Sequence, residues 1–373
     1  MHEVAIVGGG PAGAAAALLL ARRGRRVLLV DQIDQVEGAL SFKAGEGLPP
    51  AARPLLRDLG ALEPFLSDGH LPSYGNETSW GGTTTTIHDF IRDPNGHGWH
   101  LDRLRFDALL RRLAQEAGAE LRISTRLRGL DRIDRNGGTW RLALESEGKE
   151  SEAQAGWLVD ATGRAAHVAH RLGATTIHDD RQVAFTALFA PEPGAAADQD
   201  SLTLVESVPD GWWYTALLPE QRRVVAFLTD ADLEPARAAM DPAGFDDLLA
   251  QTHHVRARLT AGGHRRITAP RGGPAASSRL APDHGDGWVA IGDAALAFDP
   301  LSSQGILTAL YGGVRAAGAL DAEIQGEHGS VARVSEELDN VQAAYRRNRS
   351  QIYAEEQRWP GREFWRRRHL HLL

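Results

Sequence analysis

Three glycines carry the clearest chemistry in this chain of 373 residues, in the run Val4-Ala-Ile-Val-Gly8-Gly-Gly10-Pro-Ala-Gly13. Their G-x-G-x-x-G spacing suits a phosphate cradle. Gly8 permits a tight turn, Gly10 lets the backbone come close to a pyrophosphate, and Gly13 lets a helix pack tightly on the preceding strand. Pro11 and Ala12 belong to the same turn and are expected to touch the phosphates with it. A helix starting here would aim free N–H groups and the positive end of its dipole at the anion. Asp31 stands at the spacing, about 20 residues on, where a carboxylate accepts from ribose hydroxyls. The pattern predicts an adenine dinucleotide.

The elements that must hold these residues are legible around them. An apolar strand ends at Val7, an alanine-rich helix runs from Ala14 to Ala21, and a second apolar strand, Val27-Leu-Leu-Val30, delivers Asp31. Farther on, Asp102 reads as the N-cap of a helix with apolar spacing at Phe106, Leu109, Leu110 and Leu113. Trp157-Leu-Val-Asp160-Ala-Thr-Gly163 reads as a buried strand ending in a turn. Trp288-Val-Ala-Ile-Gly292-Asp293 reads as another, followed by a helix from Gly305 to about Leu320. A short helix is expected around Pro50 to Leu59 and a hairpin turn at Asn136-Gly137. Residues 180–230 have the alternation of antiparallel strands, with Gly211-Trp-Trp-Tyr214 among them. The last helix is expected to end near Tyr353.

Composition narrows the function. The formal net charge of −8 disfavours nonspecific nucleic-acid binding. With no cysteine there can be no disulfide, redox dithiol, thiolate metal site or cysteinyl cofactor link. The histidines lack metal-ligand spacing, so no metal is expected. No apolar run reaches membrane-spanning length, and the first strand begins too early to leave room for a signal peptide. A cytoplasmic location is expected. Lys43 and Lys149 are the only lysines amid many arginines, which reads as genome composition.

Nucleotide-binding signals fall at the N-terminus, in the middle and near residue 290, with sheet-rich segments between. The economical reading is a discontinuous nucleotide domain (1–72, 100–170 and 282–345) with an inserted substrate domain (73–99 and 171–281) and a C-terminal helical, basic tail (346–373). Arg366-Arg-Arg368 is expected to be solvated.

The G-x-G-x-x-G opening, Asp160-Ala-Thr-Gly163 and Gly292-Asp293-Ala-Ala together resemble the FAD-containing monooxygenases of the para-hydroxybenzoate hydroxylase type. The resemblance implies an α/β fold with a Rossmann-like, glutathione-reductase-type FAD domain and an inserted antiparallel sheet. It implies that Asp293 meets the flavin ribitol or pyrophosphate, and that the helix at Gly305 points at the flavin pyrimidine edge, where reduced flavin carries negative charge. Arg103-Leu-Arg-Phe106-Asp107 matches an R-x-x-F-D helix start whose arginine contacts phosphate. Gly45-Glu46-Gly-Leu48 resembles a G-E-x-L element beside the flavin, and Lys43 precedes it. The same likeness adds Leu127, Gly163, Pro300 and Ile306 to the expected cofactor contacts. Only one dinucleotide fingerprint is present, so electrons would come from transiently bound NAD(P)H or a separate flavin reductase.

Ser79-Trp80-Gly-Gly82, Gly98-Trp-His100, Gly211-Trp-Trp-Tyr214 and Arg358-Trp-Pro-Gly-Arg-Glu-Phe-Trp365 resemble the tryptophan-halogenase-like flavoproteins, nearest the maturases of tryptophylquinone enzymes such as lysine ε-oxidase and glycine oxidase. Those act on a tryptophan within a partner polypeptide. Two departures weigh against halogenation. No lysine occurs between Lys43 and Lys149, so the position downstream of the G-E element that would capture hypohalous acid is empty, and the W-x-W-x-I-P signature is absent. The implied reaction is hydroxylation of a tryptophan or other indole, carried on a peptide or partner protein, by O2 through a flavin C4a-hydroperoxide. The adduct must be shielded from water. Trp80, Trp99, Trp212, Trp213 and Tyr214 are candidates for the chamber wall. His100 is the candidate for moving a proton or orienting substrate, and His100, Trp80 and Trp213 form the expected catalytic set. A flavin halogenase, a non-oxygenating flavin reductase and a flavin-binding maturation chaperone are the alternatives. The sequence leaves the oligomeric state open.

Overall fold

The computed structural model describes residues 1–32, 42–43, 45–133 and 138–370. The expected turn at Asn136-Gly137 lies outside them. Two eight-stranded sheets organise the described residues. In the first, His2–Val7 lies parallel between Val27–Val30 and Lys149–Asp160. Glu120–Arg122 extends the sheet on one side and Trp288–Ala290 on the other, both in parallel. Its central strands are buried on both faces, as parallel sheets require, so they read as continuous apolar runs. Val4, Ile6, Val27 and Leu29 face one core, shared with the helices Pro11–Arg22, Arg103–Glu116 and Gly305–Ile324. Ala5, Val7, Leu28 and Val30 face a second core, built with the antiparallel ribbon Thr125–Arg132 and Trp140–Ser146.

The second sheet is antiparallel except where Leu202–Val208 runs parallel to Gly75–Ser79. Gln182–Pro191, Arg223–Asp230, Gly211–Leu217 and Leu202–Val208 follow one another across it. Phe185, Trp213, Val225 and Phe227 point to one face and pack against Phe245, Val255 and Leu259 of the helices Pro242–Ala250 and His254–Ala261. The alternate residues point the other way, where Val205, Trp212, Ala226 and Leu228 pack with Tyr353, Phe364 and Trp365.

Asp102 caps the helix Arg103–Glu116 by accepting from the amides of Leu104 (3.0 Å) and Arg105 (3.1 Å). The helix expected around residues 50–59 spans Ala52–Asp58. The long helix Ser330–Glu355 passes through the expected domain boundary at 345/346 without a break. In the C-terminal basic run Arg366 is exposed as expected, but Arg367 and Arg368 depart from expectation. Arg368 is 4% exposed on the terminal helix Glu363–Leu370, and its guanidinium meets Asp230 at 2.9 Å. Arg367 meets Asp232 at 2.7 Å. Buried Phe364 and Trp365 anchor that helix on the second sheet, and so draw the arginines onto its acids. Among the described residues no helix is long and apolar enough to cross a membrane.

Candidate active site

A single cavity of about 820 Å³ runs from the glycine turn to the open face of the second sheet. Its first wall is the dinucleotide cradle. Gly8 has φ +109°, and a Cβ there would stand 2.2 Å from the carbonyl oxygen of Ala161. A Cβ on Gly13 would stand 2.0 Å from the Gly8 carbonyl. Both positions need glycine for packing, whereas a Cβ on Gly10 would meet nothing within 4 Å. That open space lies at the start of Pro11–Arg22, which no side chain caps. The cradle therefore fits a pyrophosphate: a small-residue turn, open room and uncapped amides.

Asp31 is 4% exposed and lines the cavity. Arg111, which no sequence motif singles out, reaches both Asp31 Oδ2 (3.4 Å) and the Gly9 carbonyl (3.1 Å), tying carboxylate to turn. No local pattern marks it: its stripe on the helix is Arg103, Asp107 and Ala114, away from the apolar face of Phe106, Leu109, Leu110 and Leu113, and only the fold buries it against an acid. Gly9 is equally constrained, since a Cβ there would stand 2.5 Å from Asp31 Oδ2.

In the middle of the cavity, Arg103 grips Asp107 with two 3.2 Å bonds and donates to the Gly45 carbonyl at 2.9 Å. Lys43 Nζ meets the same Asp107 at 2.6 Å. Burial alone would raise the Asp107 carboxyl, but Arg103 and Lys43 more than offset it and hold it below the usual carboxylate range. Asp293, in the short turn after Trp288–Ala290, faces Arg164 at 3.6 Å. The surrounding protein pushes its carboxyl up, against the pull of Arg164, Arg103 and Lys43. Asp160 shapes the backbone instead. Wholly buried, it accepts from Thr162 (amide 3.0 Å, hydroxyl 2.6 Å) and from the Ala169 amide (2.8 Å), which fixes the turn carrying Gly163.

Leu127, Gly163, Pro300, Gly305, Ile306 and Glu46 also line this cavity. Of the residues the sequence assigned to the cofactor, only Gly13 lies behind the wall. Glu46 is 4% exposed, and one of its oxygens has no hydrogen-bond partner. Burial pushes its carboxyl up, against nearby amides and Arg103. Burial and that carboxyl together push the Tyr214 phenol well above its ordinary value.

The far wall corrects the expected catalytic set. Ala184, Thr186, Thr203, Val205, Trp212 and Tyr214 line the cavity from the second sheet, joined by Phe298. Trp213 does not. Period-two alternation sends it through the sheet, where it stacks on Phe227 (centroids 4.8 Å) and meets Phe245 edge-on (5.0 Å). Trp80 is drawn away by its indole N–H, which donates to the Ile352 carbonyl at 2.8 Å, and it packs edge-on to Tyr353 and Trp365. Trp99 belongs to the core of the first sheet, edge-on to Phe65. His100 stands one side chain back from the cavity: its Nε2 lies 2.9 Å from Oγ1 of Thr203, which does line it. Burial, with the Arg223 cation nearby, lowers His100 to about 4, so it is neutral near pH 7. Among the described residues no group of His, Asp or Glu could hold a metal ion.

A dinucleotide cradle opening onto a second, antiparallel sheet defines a flavoenzyme of the monooxygenase type. The chain belongs to the FAD-binding domain family, whose model matches residues 1–347. It is similar to a protein of Marinomonas mediterranea that carries the name FAD-dependent oxidoreductase LodB, with 29% identity over 373 residues, 99% of this chain and 97% of that one. Its fold matches that of CmlS, a flavin-dependent halogenase, with a TM-score of 0.84 at 23% identity, covering 98% of this chain and 67% of the other. It also matches QhpG, a peptidyl tryptophan dihydroxylase of tryptophylquinone cofactor biogenesis, with a TM-score of 0.74 at 24% identity, covering 98% of this chain and 78% of that one.

Proposed function

We propose that this protein is an FAD-dependent monooxygenase that hydroxylates a tryptophan side chain presented by a peptide or partner protein. The observation that carries this reading is the cavity itself. It is continuous from the phosphate cradle to a wall of Trp212, Tyr214, Phe298 and small uncharged residues, so one chamber can hold a dinucleotide and a flat aromatic ring together. In this reading Gly8–Ala12 and the first amides of Pro11–Arg22 hold the pyrophosphate, Asp31 the ribose, and Arg103 and Asp293 the middle of the cofactor. The start of Gly305–Ile324 faces its reactive end. Reduced FAD supplies activation of O2, with electrons from NAD(P)H or a separate reductase. The protein binds and orients the ring and keeps water from the site.

The likeness to QhpG, a peptidyl tryptophan dihydroxylase, supports a polypeptide-borne tryptophan. Halogenation is the second reading, favoured by the likeness to CmlS. Against it, the one lysine in the cavity wall, Lys43, is bound to Asp107, and Lys149 starts a strand away from the cavity.

The test is turnover under labelled oxygen. FAD-loaded protein, NAD(P)H and a flavin reductase are incubated with a set of short tryptophan-containing peptides, and products are read by mass spectrometry. Incorporation of oxygen from O2 into a tryptophan supports the reading. Halide incorporation with chloride or bromide replaces it with the second. Flavin oxidation with every peptide unchanged refutes both.

A further inference from the structure

The substrate end of the cavity is formed partly by a loop lined at Asp299, Pro300, Leu301 and Ser303, which leads into the helix Gly305–Ile324. Asp299 is 1% exposed, and both of its carboxylate oxygens are engaged. Oδ1 accepts from the Leu301 amide and the Gln182 side chain, each at 3.0 Å. Oδ2 accepts from the Tyr353 hydroxyl at 2.7 Å and from Arg349 at 3.2 Å. The Asp299 amide donates to the Tyr345 hydroxyl at 2.8 Å. Burial alone would raise this carboxyl, but Arg349, the Leu301 amide and Tyr353 hold it below the usual range, so it is an anion at neutral pH.

Tyr345, Arg349 and Tyr353 stand four residues apart on Ser330–Glu355, so they form one stripe along one helix face. The stripe crosses residue 347, where the match to the family ends. The network continues into both walls of the cavity. Arg349 also reaches Asp180 at 2.7 Å. Arg368 reaches Gln182 Oε1 at 2.8 Å, and Gln182 begins the strand whose Ala184 and Thr186 line the chamber.

Burying ions in this way is an inefficient route to stability, because well-packed apolar residues would do as well or better. What a dense, buried polar network of this kind provides is one fixed geometry. Here that geometry is imposed on a loop facing the cofactor's reactive end. We propose that Tyr353 and Arg349 are positioning residues, acting through Asp299 to hold the Asp299–Ser303 loop and the start of Gly305–Ile324 in the shape that closes the chamber over the flavin. This rests on the FAD-dependent reading above.

The test uses the full-length, FAD-loaded protein. Tyr353→Phe removes one hydroxyl and keeps the ring, Arg349→Met removes the charge, and Arg349→Lys keeps it. Arg346→Ala removes an exposed partner of Asp179 on the same helix without touching Asp299. The readouts are the visible circular dichroism of the bound flavin and the FAD dissociation constant. Tyr353→Phe and Arg349→Met should change the flavin dichroism and weaken FAD roughly tenfold, the size of one hydrogen bond to an ionised group. Arg349→Lys should recover part of both signals, and Arg346→Ala should change neither. If Tyr353→Phe lowers the melting temperature while dichroism and FAD affinity match the parent protein, the network is only a staple and the proposal is wrong. Should Arg349→Met fail to fold, Tyr353→Phe decides alone. Failure of the parent protein itself to bind FAD would instead overturn the reading beneath the proposal.

Discussion

Trp212 and Trp213 are neighbours in sequence and opposites in the fold, which makes them a paired test of the site. Trp213 is 1% exposed, sandwiched between Phe227 and Phe245 on the side of the sheet away from the cavity. Trp213→Ala removes a whole buried ring, a change that costs about 3–5 kcal/mol in well-packed cores. Each aromatic pair lost contributes about 0.5–1.5 kcal/mol beyond the area term. Against a typical stability of about 5–15 kcal/mol, the alanine variant should lie near the edge of folding. Trp213→Phe keeps an aromatic in the slot and should cost less, leaving enough folded protein to assay. Trp212 is also 1% exposed, but its face is the cavity wall and its indole N–H has no partner. Trp212→Phe deletes that orphan donor along with part of the ring. The relief of an unpaired buried N–H offsets the lost packing, so stability should change little. Urea unfolding followed by far-ultraviolet circular dichroism gives the stability of each variant, and turnover per bound flavin gives its function. Trp213→Phe should lower the urea midpoint and retain turnover, and Trp212→Phe should leave the midpoint nearly unchanged and lower turnover. If Trp213→Phe abolishes turnover at full flavin occupancy while Trp212→Phe retains it, the assignment of sheet faces to roles is wrong.

Gly8→Ala places a Cβ 2.2 Å from a backbone oxygen at a φ of +109°, so the turn must deform. FAD content after purification should fall sharply, and an unchanged flavin-to-protein ratio would contradict the cradle. His100 carries a pH signature. Its folded value of about 4 lies below its ordinary 6.5, so between those values the unfolded chain binds more protons, and stability is lost as the pH drops through that window. The loss amounts to about 3 kcal/mol at most. His100→Asn should flatten the stability curve between pH 6.5 and 4, and a curve parallel to that of the parent protein would show that the imidazole is not held neutral.

The nucleotide half was legible because its signals are local. Gly8, Gly10, Asp31, Asp102 and the Gly292-Asp293 turn are recognised by residue type and short spacing beside apolar runs, even though Gly8 packs on distant Ala161 and Asp31 meets distant Arg111. The chamber wall was not legible for a definite reason. Two adjacent tryptophans on a strand must face opposite sides, but which side is inward is set by pairing with Leu202–Val208 and Arg223–Asp230, and register is a property of the partners. Trp80 belongs to a cluster with Tyr353 and Trp365, contacts that no local pattern predicts. Arg368 reads as a surface residue until Asp230 is brought beneath it. Arg111 was not legible either, since it lies off the apolar face of its helix and meets Asp31 only through the tertiary fold.

The order in which the chain supplies the cavity has a consequence for its biogenesis. The cradle at Val7–Gly10 leaves a ribosome about 280 residues ahead of the residues opposite it, from Ile291 to Ala309. The strand Trp288–Ala290 must still dock beside Lys149–Asp160 before the floor is complete. A nascent chain thus carries a finished phosphate turn over an unfinished trough lined by apolar sheet, the kind of intermediate that aggregates or engages chaperones. The cofactor cannot rescue that stage, because ligand stabilisation acts only on a state able to bind it. Flavin occupancy therefore marks chains synthesised past this point, and flavin shortage would be felt only after the segment around Ile291 has been made.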